Sequence, residues 1–472
     1  MKAQRLLRIA LGVLACAWPA VLYRPTLDYP FVFDDRTTVL LNPRLVDPWN
    51  LRAVLLDAPP RIAVNLSYAV DRAFWGYSSF GFHVTNFVLH ILVVALLYGW
   101  CTRALTDGAR PGSDRGQTGT RRGSDPGLTP SPEWPAFVAA ATFGLHPLMG
   151  ATVLYVSARS ELLCAAAFLL ALMFFRRAVL VPGTGPAALA IGFGAAAASA
   201  SPAGAALPVV MLAYDRWVLR TTGWQRRLWR MYLPVAAVAA VAGAWRLRAA
   251  WTVDLVPSRS VLDNLLTQSI VIWRYVRLLV FPAGQSIVHD VRWVDSPADP
   301  LALLAVAAIA LAVAAAVRLR RGAPMAAVGA IWFLAALAPT SSLIPLRDPM
   351  AEPRSYVAAA GLMFAVVSVL ARFLAERRVA RLTALAALMI LASAASTRSR
   401  LWSDPLLLWT EAVARAPSSW QAHAELANAL GEIGACDRAA QEYSAAVRLN
   451  PALPVRPREA WRPSCPSARG ER

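Results

Sequence analysis

Adjacent carboxylates, Asp34 and Asp35, stand in the stretch YPFVFDDRTTVLLNPRL, with Phe31 and Phe33 just before them. A carboxylate partly withdrawn from water beside a phosphate or a cation can act as a general base or hold a metal. The alternative is an ordinary Asp at a helix N-cap in a solvated loop. Farther on, RIAVNLSYAVDRAFWGYSSFGFHVTNFVLH carries Arg61, then His83, Asn86 and His90 at spacings of three and four, which places the last three on one helical face. Such a stripe can bind a phosphate or a sugar hydroxyl, or it can supply interhelical hydrogen bonds of about 1 kcal/mol or less each. The His83–His90 spacing suits a metal pair poorly, so no metal ligand is assigned there. The stretch FGLHPLMGATVLYVSARSELL holds His146 inside an apolar run and Arg159 and Glu161 at the turn after it. An ionisable residue inside such a run is a functional candidate by default. In PTSSLIPLRDPMAEPRSYVAAAGL, Glu352, Arg354 and Tyr356 bring a carboxylate, a guanidinium and a phenol close together. Arginine is the usual partner of a phosphate, although it also snorkels to a membrane surface.

The elements that carry these residues are membrane helices. Of 472 residues, 57% are hydrophobic and only 16% charged, outside the range of soluble globular chains. The net charge of +19 comes from arginines that flank apolar runs rather than forming a basic stripe, which argues against nucleic acid as a partner. The five cysteines form no C-x-x-C pair and show no metal-ligand spacing. A span needs roughly 20 apolar residues, and about eleven runs meet that need. They lie near 6–24, 84–103, 135–155, 160–175, 185–200, 203–217, 231–249, 300–317, 325–344, 356–372 and 381–397. Arginine placement sets their orientation: Lys2, Arg5 and Arg8, the loop 103–134 with Arg110, Arg115, Arg121 and Arg122, and the later arginine clusters all fall inside. The segment 264–282 would break that parity and carries Arg274 and Arg277, so it is expected to be an interfacial or re-entrant helix on the outer side. The expected fold is therefore an all-α polytopic bundle over 1–398, with a first outer loop at 24–83 and the C-terminus outside.

After the last run the composition changes. WQAHAELANALGEIGACDRAAQEYSAAVRLNP fits the tetratricopeptide repeat at Leu426, Ala427, Leu430, Gly434, Ala439, Tyr443, Ala446 and Pro451, and Trp409, Ala412 and Pro417 suit the second half of a preceding repeat. Such repeats bury their faces only against neighbours, so the short segment 402–453 must lean on the membrane part or on a partner. The Pro/Arg-rich tail 454–472 is expected to be disordered.

In this order the motifs resemble the transmembrane and tetratricopeptide-repeat-containing protein O-mannosyltransferase family and its bacterial relatives, within the GT-C class of membrane glycosyltransferases. They are FVFDD with Asn42, Arg61 and Ser67 with Trp75–Gly76, H-x-x-N-x-x-x-H, L-H-P followed by V-S-x-R-x-E-L-L, PTSSLIP, E-x-R-x-Y and the trailing repeat. The resemblance implies transfer of one sugar, commonly mannose, from a polyprenyl-phosphate carrier to a protein hydroxyl on the extracytoplasmic face of a bacterial inner membrane. It implies a base among Asp34 and Asp35, and donor contacts from Arg354, Arg159, His146, Glu352, Tyr356, His83, Asn86 and Arg61. The partners implied are the lipid-linked sugar, an acceptor protein presented by the repeats, and the bilayer, with a divalent cation as an open question. The chain differs from the family pattern at Met149 and Ala151, where a His and a Glu are usual, and at Ser201 and Pro202, where a Lys-Glu pair is usual. A degenerate relative acting as a membrane scaffold is the alternative expectation.

Overall fold

The structure is a computed structural model, and it describes residues 2–56, 61–108, 131–181, 183–253, 260–341, 346 and 348–453. The loop arginines Arg110, Arg115, Arg121 and Arg122, Ser342 to Pro345 of the PTSSLIP motif, and the tail 454–472 lie outside the described residues. Within them the chain is helical, with no strand or sheet.

The first half runs through α1 (Lys2–Tyr23), α2 (Leu51–Leu56), α3 (Ile62–Trp75), α4 (Ser79–Gly108), α5 (Glu133–Leu145), α6 (Pro147–Leu154), α7 (Arg159–Leu180), α8 (Thr184–Ala200) and α9 (Leu207–Tyr214). The second half contains α10 (Trp224–Arg227), α11 (Leu233–Val253), α12 (Val261–Val280), α13 (Pro300–Leu319), α14 (Pro324–Leu337), α15 (Tyr356–Glu376) and α16 (Arg378–Arg400), then α17 (Pro405–Arg415), α18 (Trp420–Glu432) and α19 (Cys436–Leu449). The runs are rich in Ala and Leu, the residues that favour helix most.

Seven of these helical stretches are long and apolar enough to cross a membrane, centred on α1, α4, α7, α11, α13, α15 and α16. The bent pair α5 and α6 makes an eighth if it counts as one span. α8 and α14 are apolar but have only 17 and 14 residues, which at about 1.5 Å per residue falls short of a hydrocarbon core of about 30 Å. The protein is thus an all-α, multi-pass integral membrane protein with seven to eight candidate spans among the described residues. That is fewer than the runs counted by composition, because the run 185–200 is itself short, the run 203–217 is broken into separate helical pieces, and the run 325–344 stops being helical at Leu337.

α12 is not one of the candidate spans. Ser260 and Asp263 close a capping box at its start. One face buries Asn264, Thr267, Gln268 and Ser269, and the Trp273 indole donates to the Ala305 carbonyl of α13.

Between membrane helices there is little hydrophobic driving force, so close contact depends on small residues. α14 and α15 meet at Gly329, where an added Cβ would lie 2.5 Å from the Gly361 carbonyl oxygen and 2.7 Å from the Ala365 nitrogen. Both obstacles are backbone and cannot swing aside. Gly329→Val is therefore expected to force the helices apart and destabilise the protein by about 3 kcal/mol, the upper end for overpacked sites. Thermal unfolding of the protein in detergent measures this, and a wild-type midpoint in the variant would contradict the packing argument.

The C-terminal helices share a core of Trp409, Ala412, Leu426, Leu430, Ala439 and Tyr443. The αL backbone of Gly434 (φ +78°) turns the chain between α18 and α19. Of the residues picked out by repeat spacing, Trp409, Ala412, Leu426, Ala427, Leu430, Ala439 and Tyr443 meet there. The segment leans on the membrane part: Phe33 stands edge-on to Trp409 at 5.4 Å, Val288 joins the same core, Gln421 donates to Asp348 at 2.7 Å, and Arg36 pairs with Glu432. Cys436 is disulfide-bonded, whereas Cys16, Cys101 and Cys164 are free thiols.

Candidate functional site

The site begins at a strained turn. Phe33 has φ +51°, one of two non-glycine residues with positive φ among those described. A bulky residue in that region is uncommon and costs energy, and such conformations gather at functional sites. The turn sends Phe33 towards Trp409 and points the two following carboxylates in different directions.

Asp35 is fully buried. Its carboxylate accepts hydrogen bonds from the Val32 N–H (3.2 Å), the Ser157 N–H (2.7 Å) and the Ser157 hydroxyl (2.6 Å). It ties the first loop to the turn before α7. Asp34 is exposed, and its Oδ2 accepts from the Tyr155 hydroxyl at 2.7 Å. Phe33 stacks on Tyr155, whose ring also faces Trp402.

Asp34 opens onto a cavity of about 220 Å³, together with Glu161, His289, Glu352 and Arg354. These residues come from the first loop, α7, the segment after α12 and the turn that starts α15. Glu352 is buried and accepts from the Ser286 N–H at 2.7 Å and from His289 Nε2 at 3.0 Å. Arg354 donates one N–H to the Asp348 carbonyl at 2.7 Å and lines the cavity. The Tyr275 hydroxyl of α12 donates to the Ala351 carbonyl and accepts from the Ala351 N–H, fixing the strand of chain that leads into Glu352.

Glu161 is buried, and Oε1 accepts from the Ser201 hydroxyl at 2.7 Å while Oε2 has no partner. Arg354, Arg246 and Arg61 are the guanidiniums within electrostatic reach of it.

Of the site residues expected from the sequence, the base candidate Asp34 and the donor contacts Glu352 and Arg354 line this cavity and the others do not. Arg159 is fully buried behind it, paired with Asp71 at 2.6 Å, donating to Asn86 Oδ1 (2.8 Å), the Phe82 carbonyl (2.9 Å) and Ser67 Oγ (3.3 Å), and lying over the Tyr68 ring. Asn86 in turn donates to the Val153 and Tyr155 carbonyls. His146 sits at the 56° bend between α5 and α6, where Nδ1 accepts from the Leu148 N–H and Nε2 therefore donates to the Leu279 carbonyl. Both of its ring nitrogens are occupied. The Tyr356 hydroxyl donates to His90 Nδ1 at 2.7 Å, since His90 Nε2 is committed to the Gly144 carbonyl. His83 is buried with Nε2 unpartnered, and Arg61 is exposed at the start of α3. Asp35 backs the site rather than lining it.

Sequence reasoning passed over His289 and Tyr155. His289 follows α12 on the face that the parity argument assigns to the other polar loops, and a His-Asp pair in such a loop was the available signal. Tyr155 had none, because an aromatic at the end of an apolar run is the commonest membrane-interface residue. Among the described residues, no three His, Cys, Asp or Glu side chains are grouped to hold a metal ion.

Burial pushes the Asp35 carboxyl up to about 7 from 3.8, while hydrogen bonds from Ser157, Val32 and Val156 pull it down. With the folded value above the unfolded one, the folded state binds more protons between the two. Stability from protonated Asp35 is present at low pH and lost as pH rises through about 7. Asp35→Asn has no such loss, so its unfolding midpoint is expected to gain on that of wild type between pH 4 and 8, by on the order of a few kcal/mol. A difference that stays constant across this window would contradict the burial of an ionisable Asp35.

No protein-family model, curated protein or solved structure matches the chain. Fold and site together define a polytopic helical membrane protein that carries a small cavity lined by carboxylates and arginine.

Proposed function

We propose that the protein is a membrane glycosyltransferase that moves a single sugar, mannose in the first instance, from a polyprenyl-phosphate carrier to a protein hydroxyl on the extracytoplasmic face. The observation that carries this reading is the convergence of Asp34 with Glu352 and Arg354, which lie over 300 residues further along the chain, on one cavity. Asp34 takes the acceptor's proton as the acceptor oxygen bonds to the anomeric carbon. The bond from that carbon to the phosphate oxygen breaks, and Arg354 offsets the charge left on the lipid phosphate. The Tyr155 hydroxyl holds Asp34 Oδ2 and so orients the carboxylate. The cavity is smaller than the roughly 300–1,000 Å³ of drug-sized sites, so only the sugar and phosphate enter it. An apolar groove of about 510 Å³ lined by Val138, Leu279, Val280, Leu362 and Leu370 suits the isoprenoid tail. Eleven crossings follow if α8, α14 and the broken stretch around α9 also cross, with the N-terminus cytoplasmic and the C-terminal helices outside to present the acceptor.

A specific feature favours the second reading, a degenerate relative that serves as a scaffold. Ser201, at the place of the usual lysine, satisfies only one oxygen of Glu161, and the other is buried without a partner. The test is transfer of label from polyprenyl-phosphate mannose to protein by membranes containing the chain. Transfer above empty membranes supports the enzyme. Silence with this donor and with a panel of other lipid-linked sugars moves the assignment to the scaffold.

A further inference from the structure

A second cavity, of about 400 Å³, shares Ser286, Val288, His289 and Met350 with the first but has a different character. Its walls carry three arginines, Arg274 and Arg277 of α12 and Arg415 of α17. Each is pinned by one bond: Arg274 to the Asp290 carbonyl (2.8 Å), Arg277 to the Ala283 carbonyl (3.1 Å), and Arg415 through Nε to Glu411 (2.7 Å). The remaining N–H groups are left for a ligand.

Gly284 marks the point where two of them converge. Its φ of +81° turns the chain sharply, and a Cβ there would lie 3.5 Å from both Arg277 Nη2 and Arg415 Nη1. Two guanidiniums from distant helices thus approach one point. Of the acidic groups nearby, Asp290 lines the cavity and Glu411 is shared between Arg415 and Arg398. The arginines outnumber them, and like charges held together in this way call for an anion with several acceptor oxygens.

We infer that Arg274, Arg277 and Arg415 form a binding site for a phosphate group, which clamps the C-terminal helices onto α12. The phosphate is inorganic or the headgroup of a lipid, and in either case bidentate guanidinium contacts recognise it. The site stands apart from the sugar-transfer reading, since its test needs no transfer activity.

The experiment titrates inorganic phosphate against chloride at constant ionic strength, using the full-length protein in detergent, with thermal unfolding as the readout. Wild type is expected to show a saturable stabilisation. Arg277→Gln and Arg415→Gln, both at exposed positions expected to tolerate the change, should each weaken the apparent affinity about tenfold or more. Arg318→Gln, at the end of α13, should leave it unchanged. Nanodiscs of phosphatidylcholine with and without polyprenyl monophosphate identify the source. Arginine-dependent stabilisation by the lipid points to a headgroup, and stabilisation by inorganic phosphate alone points to a soluble ligand. The inference is overturned if neither probe stabilises wild type, or if the glutamine variants respond as wild type does.

Discussion

Transfer of labelled sugar by membranes carrying Asp34→Asn is expected to fall by two to four orders of magnitude relative to wild type at matched expression, the usual contribution of a positioned general base. Asparagine keeps the size of the side chain and a Tyr155 contact, so the loss reports the proton acceptor rather than a collapsed loop. Tyr155→Phe removes the one hydrogen bond that orients Asp34 and should cost about tenfold. Asp35→Asn, behind the site, should act mainly on stability and retain more transfer than Asp34→Asn. If wild-type membranes transfer sugar and Asp34→Asn matches them, the base lies elsewhere and the role given to this cavity fails.

The largest effect on stability is expected at Arg159. Its guanidinium joins α7 to Asp71 of α3 and to Asn86 and the Phe82 carbonyl of α4, with Arg159 and Asp71 both removed from solvent. Arg159→Met leaves a buried carboxylate without its counter-charge and the Asn86 side-chain oxygen without its donor. The cost of breaking a buried pair from one side is about 3–5 kcal/mol. Removing both charges in Arg159→Met/Asp71→Leu should restore much of it, because the penalty lies in the uncompensated charge. Unfolding midpoints of the two variants in detergent test this. A single variant as stable as wild type, or a double variant no better than the single, would show that the pair does not hold α3 in place. The same network fixes the Val153–Tyr155 end of α6 through Asn86, so Arg159 acts on Asp34 by position.

Much of the architecture was legible in the sequence because a bilayer reduces the problem to one dimension. Apolar runs with Ala and Leu become helices wherever they lie, and spacing alone marked Leu426, Leu430, Ala439 and Tyr443 as an interhelical core. The bounds of α8 were legible, the run 185–200 matching Thr184–Ala200, but the end of α14 was not, since the apolar run 325–344 continues past Leu337, where the helix stops.

The sequence by itself determined an all-α membrane protein and singled out Asp34, Glu352 and Arg354, because polar groups beside apolar runs are costly and stand out. Only the tertiary structure decided which of two adjacent aspartates faces the cavity, that Arg159 and His146 are committed to neighbouring helices, and that His289 and Tyr155 belong to the site. The physical reason is that hydropathy is a property of one segment, whereas a hydrogen bond such as Tyr155 to Asp34, or Ser157 to Asp35, depends on how segments 120 residues apart are packed.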